Sequence, residues 1–169
     1  MKWRGMIWGC VAGVTLACGG APGVRTEADG RVAVVWETEV YADHPLVGRV
    51  WSTARGAFVA PAALIEGLRA APVVLLGERH DHAAHHRLQG WLLSRRDAAA
   101  VVGVEMLDEA DVAPMVDVMG SDALRDAVRW SQSGWPAFAL YRPVFDAVVA
   151  TEQRVVAVHP ATTRLRALI

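Results

Sequence analysis

Cysteine is nearly absent from this 169-residue chain: Cys10 and Cys18 are the only two, and both fall before residue 20. The body of the chain therefore has no pair from which to build a disulfide, and packing alone must hold it. Lysine is scarcer still, Lys2 being the only one among residues that otherwise use arginine for positive charge. With 17 basic against 18 acidic side chains the formal net charge is -1, so the electrostatic term that drives binding to nucleic acid is missing. The arginine skew itself carries no functional weight. No apolar run reaches the roughly 18 residues that span a bilayer. A Gly-x-Ser-x-Gly elbow, a His-Glu-x-x-His zinc helix and a phosphate-binding glycine loop are also absent, which removes any independent support for those chemistries. What is present, 53% apolar and 21% charged side chains, has the proportions of one folded globular domain.

The amino terminus reads as a targeting segment. Lys2 and Arg4 precede a weakly polar run from Met6 to Ala17, the length of a signal-peptide core. The run stops at Leu16-Ala17-Cys18-Gly19-Gly20, where small residues flank a cysteine as they do in a bacterial lipoprotein cleavage box, although Thr15 stands where such boxes usually carry leucine. The expectation is a signal peptide over residues 1–17, a lipid anchor on Cys18, a flexible tether over 18–30 and a single domain over 31–169, held on the membrane of the cell envelope at the periplasmic side of the outer membrane. An ordinary signal peptide cut nearby, or an uncleaved anchor, is the alternative.

Strand and helix signals alternate through the body. Arg31–Trp36 and Gly48–Trp51 read as short strands, and Pro61–Ala71 as a helix with proline suited to its first turn and Pro72 ending it. Val73–Leu76 is a short apolar run between Pro72 and Gly77, followed by a helix from about Asp81 to Arg96 with Ala84, Leu88, Trp91 and Leu92 on one face. Val101–Glu105 repeats the strand signal. Helices are expected over Glu109–Met119, Ser121–Ser131 and Tyr141–Thr151, and Arg154–Val158 is the last strand. Apolar strands separated by helices predict an α/β fold: a largely parallel sheet with helices on both faces.

Parallel sheets bind ligands beyond the carboxyl ends of their strands. The residues there are Gly77-Glu78-Arg79-His80-Asp81-His82, then Glu105-Met106-Leu107-Asp108, then His159-Pro160. Glu78, His80 and Glu105 are thus expected to line one polar pocket, against the plain alternative of solvated or helix-capping charges. On the following helix His82, His85 and His86 stand at spacings that let them reach one another. His85 sits nearest the edge of the apolar stripe.

These residues carry a resemblance. Asp43-His-Pro-Leu-Val-Gly-Arg49, Leu75-Leu-Gly-Glu-Arg-His-Asp81, His85-His-Arg-Leu-Gln89, Val104-Glu-Met-Leu107, Ser133-Gly-Trp-Pro136 and Ala139-Leu-Tyr-Arg-Pro143 together are similar to the ChaN family of haem-binding, iron-regulated lipoproteins, grouped with the erythromycin-esterase-like and Tiki proteins. The likeness runs in order from Asp43 to Val158. It implies an α/β domain and a haem cofactor. The family pattern continues through further strands and helices, whereas Ala157-Val-His-Pro160 departs from it and leads into an arginine-bearing tail. The chain is therefore expected to be a carboxyl-terminally truncated member with an incomplete sheet, whose exposed strand edge and apolar faces favour aggregation.

Two functions compete. In the first the protein is a haem binder serving iron uptake, alone or as a homodimer, with a haem receptor as a further partner. Tyr141 and Arg142 lie in a motif shared with the haem-binding family. Tyrosine is a known haem-iron ligand, an adjacent arginine favours its phenolate, and Trp130, Trp135, Phe138 and Phe145 offer flat apolar surface nearby. Trp130, Phe138 and Phe145 also suit a plain core face. His80 and His85 are the rival iron ligands. In the second reading the protein is a metal- or His/Glu-dependent hydrolase of the erythromycin-esterase or Tiki type with Glu78, His80 and Glu105 as acid–base machinery, an analogy of fold rather than of chemistry; a truncated fragment without function is the remaining alternative.

Overall fold

The computed structural model describes residues 23–36, 40–97, 99–108 and 121–159. Cys18 with the whole leader, the helix expected over Glu109–Met119 and the tail beyond His159 lie outside the described residues.

The first two elements make a hairpin. Strand β1 (Val24–Thr26) pairs antiparallel with β2 (Val32–Val34), Val24 opposite Val34. The turn between them closes through Gly30 N–H to the Glu27 carbonyl at 3.0 Å, with Gly30 at φ +77°, a conformation that Asp-Gly supplies without strain. Val24–Thr26 belongs to the stretch read as a tether; pairing across this turn recruits it into a strand. A second hairpin joins β3 (Val50–Ser52) to β4 (Ala57–Val59), its exposed outer face carrying Trp51 edge-on to Phe58 at 5.0 Å.

Helix α1 (Pro61–Ala70) opens with proline at its first position, where a missing N–H costs nothing. The apolar run after it does not become a strand. Residues 73–79 are extended but outside any ladder, with Val73 75% and Leu75 92% exposed. This corrects the expected first strand of a large parallel sheet: periodicity supplied the apolar residues, but a strand also needs a neighbour to take its N–H and C=O groups. Helix α2 (Ala83–Leu93) follows, and its Gln89 side chain donates to the Leu76 carbonyl at 3.2 Å, tying the extended segment to the helix.

Strand β5 (Val101–Asp108) pairs in parallel with β6 (Arg154–His159), Val101 opposite Arg154 and Val104 opposite Ala157. Between them the described chain holds α3 (Ser121–Ala127), a 3-10 turn at Trp130–Gln132 and α4 (Phe138–Ala150). The sheets among the described residues are thus three two-stranded pairs, one of them parallel. The architecture is α/β, but the single broad parallel sheet that alternation suggested is not formed among the described residues.

The main core joins β5 to α3, the 3-10 turn and α4, through Leu107, Leu124, Trp130, Phe138, Tyr141 and Phe145. Trp130 stands edge-on to both Phe138 and Phe145, at 5.3 and 5.9 Å, and donates its indole N–H to the Pro136 carbonyl at 2.8 Å. These aromatics therefore occupy the core face that was their alternative reading. Helix α2 is buried on two sides. Ala84 and Trp91 pack on the β1–β2 hairpin, while Gly90 and Leu93 face α4. A Cβ at Gly90 would run into the Pro143 carbonyl, so the two helix backbones touch there. Gln153, buried just before β6, donates to the Leu93 carbonyl at 3.1 Å and fastens the end of α2 to the sheet.

Candidate functional site

The site is built from the turn between the extended segment and α2. His82 N–H bonds the Arg79 carbonyl and His85 N–H the His82 carbonyl, each at 3.0 Å, winding residues 79–85 into the helix start. That winding sets Glu78 under the helix, its side chain only 9% exposed. Its carboxylate meets two imidazoles. Oε1 lies 2.7 Å from His80 Nδ1, and Oε2 lies 3.1 Å from His86 Nε2. The first contact is a hydrogen bond. The second has an ion-pair distance but not the alignment of a hydrogen bond, so Oε2 and Nε2 are buried without another partner among the described residues.

His80 is 38% exposed and tilted against Trp135, ring centroids 4.8 Å apart. His86 is fully buried, its ring 4.2 Å from that of Tyr141. Burial holds the His86 imidazole below its ordinary value of 6.5, outweighing the opposing pull of Glu78. His86 is thus a neutral ring at neutral pH, with one proton to place. An ionised carboxylate only accepts, so the proton belongs on Nε2, toward Glu78.

Above this pair lies a cavity of about 810 Å³ lined by Glu78, His80 and Glu105 together with apolar residues of the extended segment and β5, among them Val73, Leu75 and Val102. Its size is within the roughly 300–1,000 Å³ of small-molecule sites. Glu105 is an exposed residue of its wall, and Arg96 lines it too, bonding the carbonyls of Leu68 and, at 2.9 Å, Ala71. Glu78, His80 and Glu105, expected at strand ends, line one cavity although Glu78 and His80 follow a segment that is not a strand and Glu105 lies within β5; only Glu78 and His80 are bonded to each other.

The remaining candidates lie elsewhere. His85 Nδ1 accepts the Arg79 N–H at 2.9 Å, and its ring stacks on His82 at 4.4 Å. Tyr141 is fully buried, its hydroxyl without a hydrogen-bond partner among the described residues. Burial first, then the charges of Glu78, Glu105 and Asp81, push its phenol above its ordinary value of 10.0. Arg142, next in sequence, points a turn away: its guanidinium grips Asp122 of α3 at 2.5 and 3.1 Å. The arrangement in which Arg142 favours a Tyr141 phenolate is not formed here. His86 is the residue that sequence reasoning passed over. Its signal was present, since it stands three residues after Ala83 and four before Gly90, on the small-residue face of the helix.

No group of three or more His, Cys, Asp or Glu side chains able to hold a bare metal ion is gathered among the described residues. No helix among them is long and apolar enough to cross a membrane.

The described residues thus place a carboxylate–imidazole pair on the wall of a cavity of the size small-molecule sites have. Residues 64–168 match the model of the family described as haem-binding uptake, Tiki superfamily, ChaN. The chain belongs to that family. No curated protein and no solved structure gives a significant match.

Proposed function

We propose that the protein binds haem in the cavity above Glu78, with His80 supplying the iron ligand, and that it serves haem or iron uptake as the name of its family indicates. The observation that carries this reading is the 2.7 Å bond between His80 Nδ1 and Glu78 Oε1 on the wall of an 810 Å³ cavity. A carboxylate that takes the Nδ1–H fixes the tautomer and leaves Nε2 with its lone pair, the usual support of a metal-bound histidine. A bare transition metal needs three or four protein ligands. Haem brings four nitrogens of its own and asks for one side chain, a demand that a single supported imidazole can meet. When bound, haem would supply an iron centre for ligation or transport. The chain's part is to offer the His80 nitrogen, to present apolar wall to the macrocycle and to bring the Arg96 cation near its carboxylates.

Tyr141 and His85 fit less well. An iron ligand at Tyr141 requires both exposure and loss of a proton that the surroundings hold firmly, and His85 already spends Nδ1 on a backbone N–H. Haem titration of the purified protein separates the three. His80→Ala is expected to lower affinity by tenfold or more and to change the ligand-field bands, while Tyr141→Phe and His85→Ala leave both as in the parent. A loss confined to Tyr141→Phe would overturn the assignment.

The lipid anchor at Cys18 belongs to the same proposal, supported by the Lys2/Arg4 start, the short apolar run and the small residues flanking the cysteine. Two or three acyl chains give stable attachment where one does not. Cys18→Ser is expected to move the protein from the membrane to the soluble fraction; unchanged fractionation would remove the anchor from the proposal. A homodimer or a haem receptor as partner stays part of the proposal.

A further inference from the structure

Glu78 is held from two sides, and the side that faces away from the cavity has no part in binding a ligand directly. There His86, 0% exposed, brings Nε2 to 3.1 Å of Oε2. Its other nitrogen, Nδ1, has no hydrogen-bond partner among the described residues, and neither has the hydroxyl of Tyr141, whose ring backs it at 4.2 Å. Burying a histidine whose nitrogens face so little is costly. Leucine would fill the same space between α2 and α4 without that cost. What leucine lacks is an N–H for the carboxylate.

From this the geometry points to His86 as a positioning residue: the polar edge of its ring, with Nε2 3.1 Å from Oε2, fixes the plane of the Glu78 carboxylate by charge–dipole attraction, so that Oε1 takes the Nδ1–H of His80 and Nε2 of His80 is the nitrogen left for a ligand. Tyr141 serves this arrangement as a wall for the His86 ring. Without the His86 ring beside it, the Oε2 side of the carboxylate is free to turn toward another donor. That turn releases the His80 tautomer. The use of that tautomer for iron rests on the haem reading, but the tautomer itself is a property of the ligand-free protein.

The test is nitrogen-15 NMR of the histidine rings in the ligand-free full chain, which reports directly which nitrogen carries the proton. The parent and His86→Gln, whose amide nitrogen can stand near the position of Nε2, are expected to show His80 as the Nδ1–H form. His86→Leu is expected to show a mixture of tautomers and, on haem titration, about tenfold weaker binding. A folded His86→Leu protein in which His80 stays in the Nδ1–H form would overturn the inference. Glu78→Gln gives a second reading where the leucine variant fails to fold. With the carboxamide oxygen kept on His80, the amide N–H₂ faces His86, whose proton should then move from Nε2 to Nδ1. If the His86 signals are the same in the parent and in Glu78→Gln, the two residues are not coupled and the inference falls. Should the parent show the expected tautomers yet take up no haem, the functional reading fails while the positioning role stands.

Discussion

Ionisation of one buried ring makes the stability of this chain depend on pH. His86 is held below its ordinary value of 6.5 by burial, so the unfolded chain takes up a proton near that pH that the folded chain refuses. Stability is therefore complete above about pH 6.5 and declines as the pH falls toward the folded-state value, where the loss ends. Melting temperatures of the ligand-free protein between pH 7.5 and 5 should fall, and His86→Gln should flatten the slope; parallel slopes in the two proteins would contradict this. At the same scale the sequence was informative about chemistry and silent about depth. The apolar runs before them drew attention to Glu78, His80 and Glu105, but the first run forms no strand and Glu105 lies within β5 rather than at its end. Whether His85 or His86 faced inward depended on which side of α2 meets α4, and that contact is set by residues some fifty positions away. Tyr141 drew attention for its neighbour Arg142, but successive residues on a helix point about 100° apart, and the arginine found Asp122 instead.

Among the elements, α2 and α4 form the contact on which the site depends, because α2 carries His86 and α4 carries Tyr141. Gly90 is the residue that permits it. Valine at that position has no room against the Pro143 carbonyl, and overpacking of this kind costs about 1–3 kcal/mol. Gly90→Val should lower stability by that amount in chemical denaturation and, by prising the helices apart, weaken haem binding; a variant as stable as the parent would show that the helices can slide. Helix positions were legible because their signals are local: Pro61 at a first turn, Pro72 as a stop. The last helix begins at Phe138, three residues before the expected start, because the turn closed by Trp130 and Pro136 delivers the chain directly into it. Strands were less legible. Val73–Leu76 has the composition of a strand without its hydrogen bonds, and β1 was hidden in a stretch rich in small residues until the Asp29-Gly30 turn folded it onto β2.

For the molecule as a whole, the extended segment leaves Val73 and Leu75 exposed beside a cavity wall that also exposes Val101 and Val158. Such an apolar patch next to backbone with no ladder partner invites association. Leu75→Lys should reduce light scattering and the large species on gel filtration at high concentration, leaving the melting temperature within about 0.5 kcal/mol equivalent of the parent; unchanged aggregation would place the sticky surface elsewhere. The parallel β5–β6 pair has a consequence for how the chain comes into being. A hairpin closes as soon as its second strand leaves the ribosome, but β5 must wait for β6, roughly 50 residues later, which at about 5–20 residues per second is on the order of 3–10 s of synthesis. Throughout that interval the nascent chain carries the edge of Val101–Asp108 unpaired, while the β1–β2 and β3–β4 hairpins have already had the chance to form. The amino-terminal part can thus be settled before the β5 wall of the cavity exists, and β6, the last strand among the described residues, is the one that gives β5 its partner.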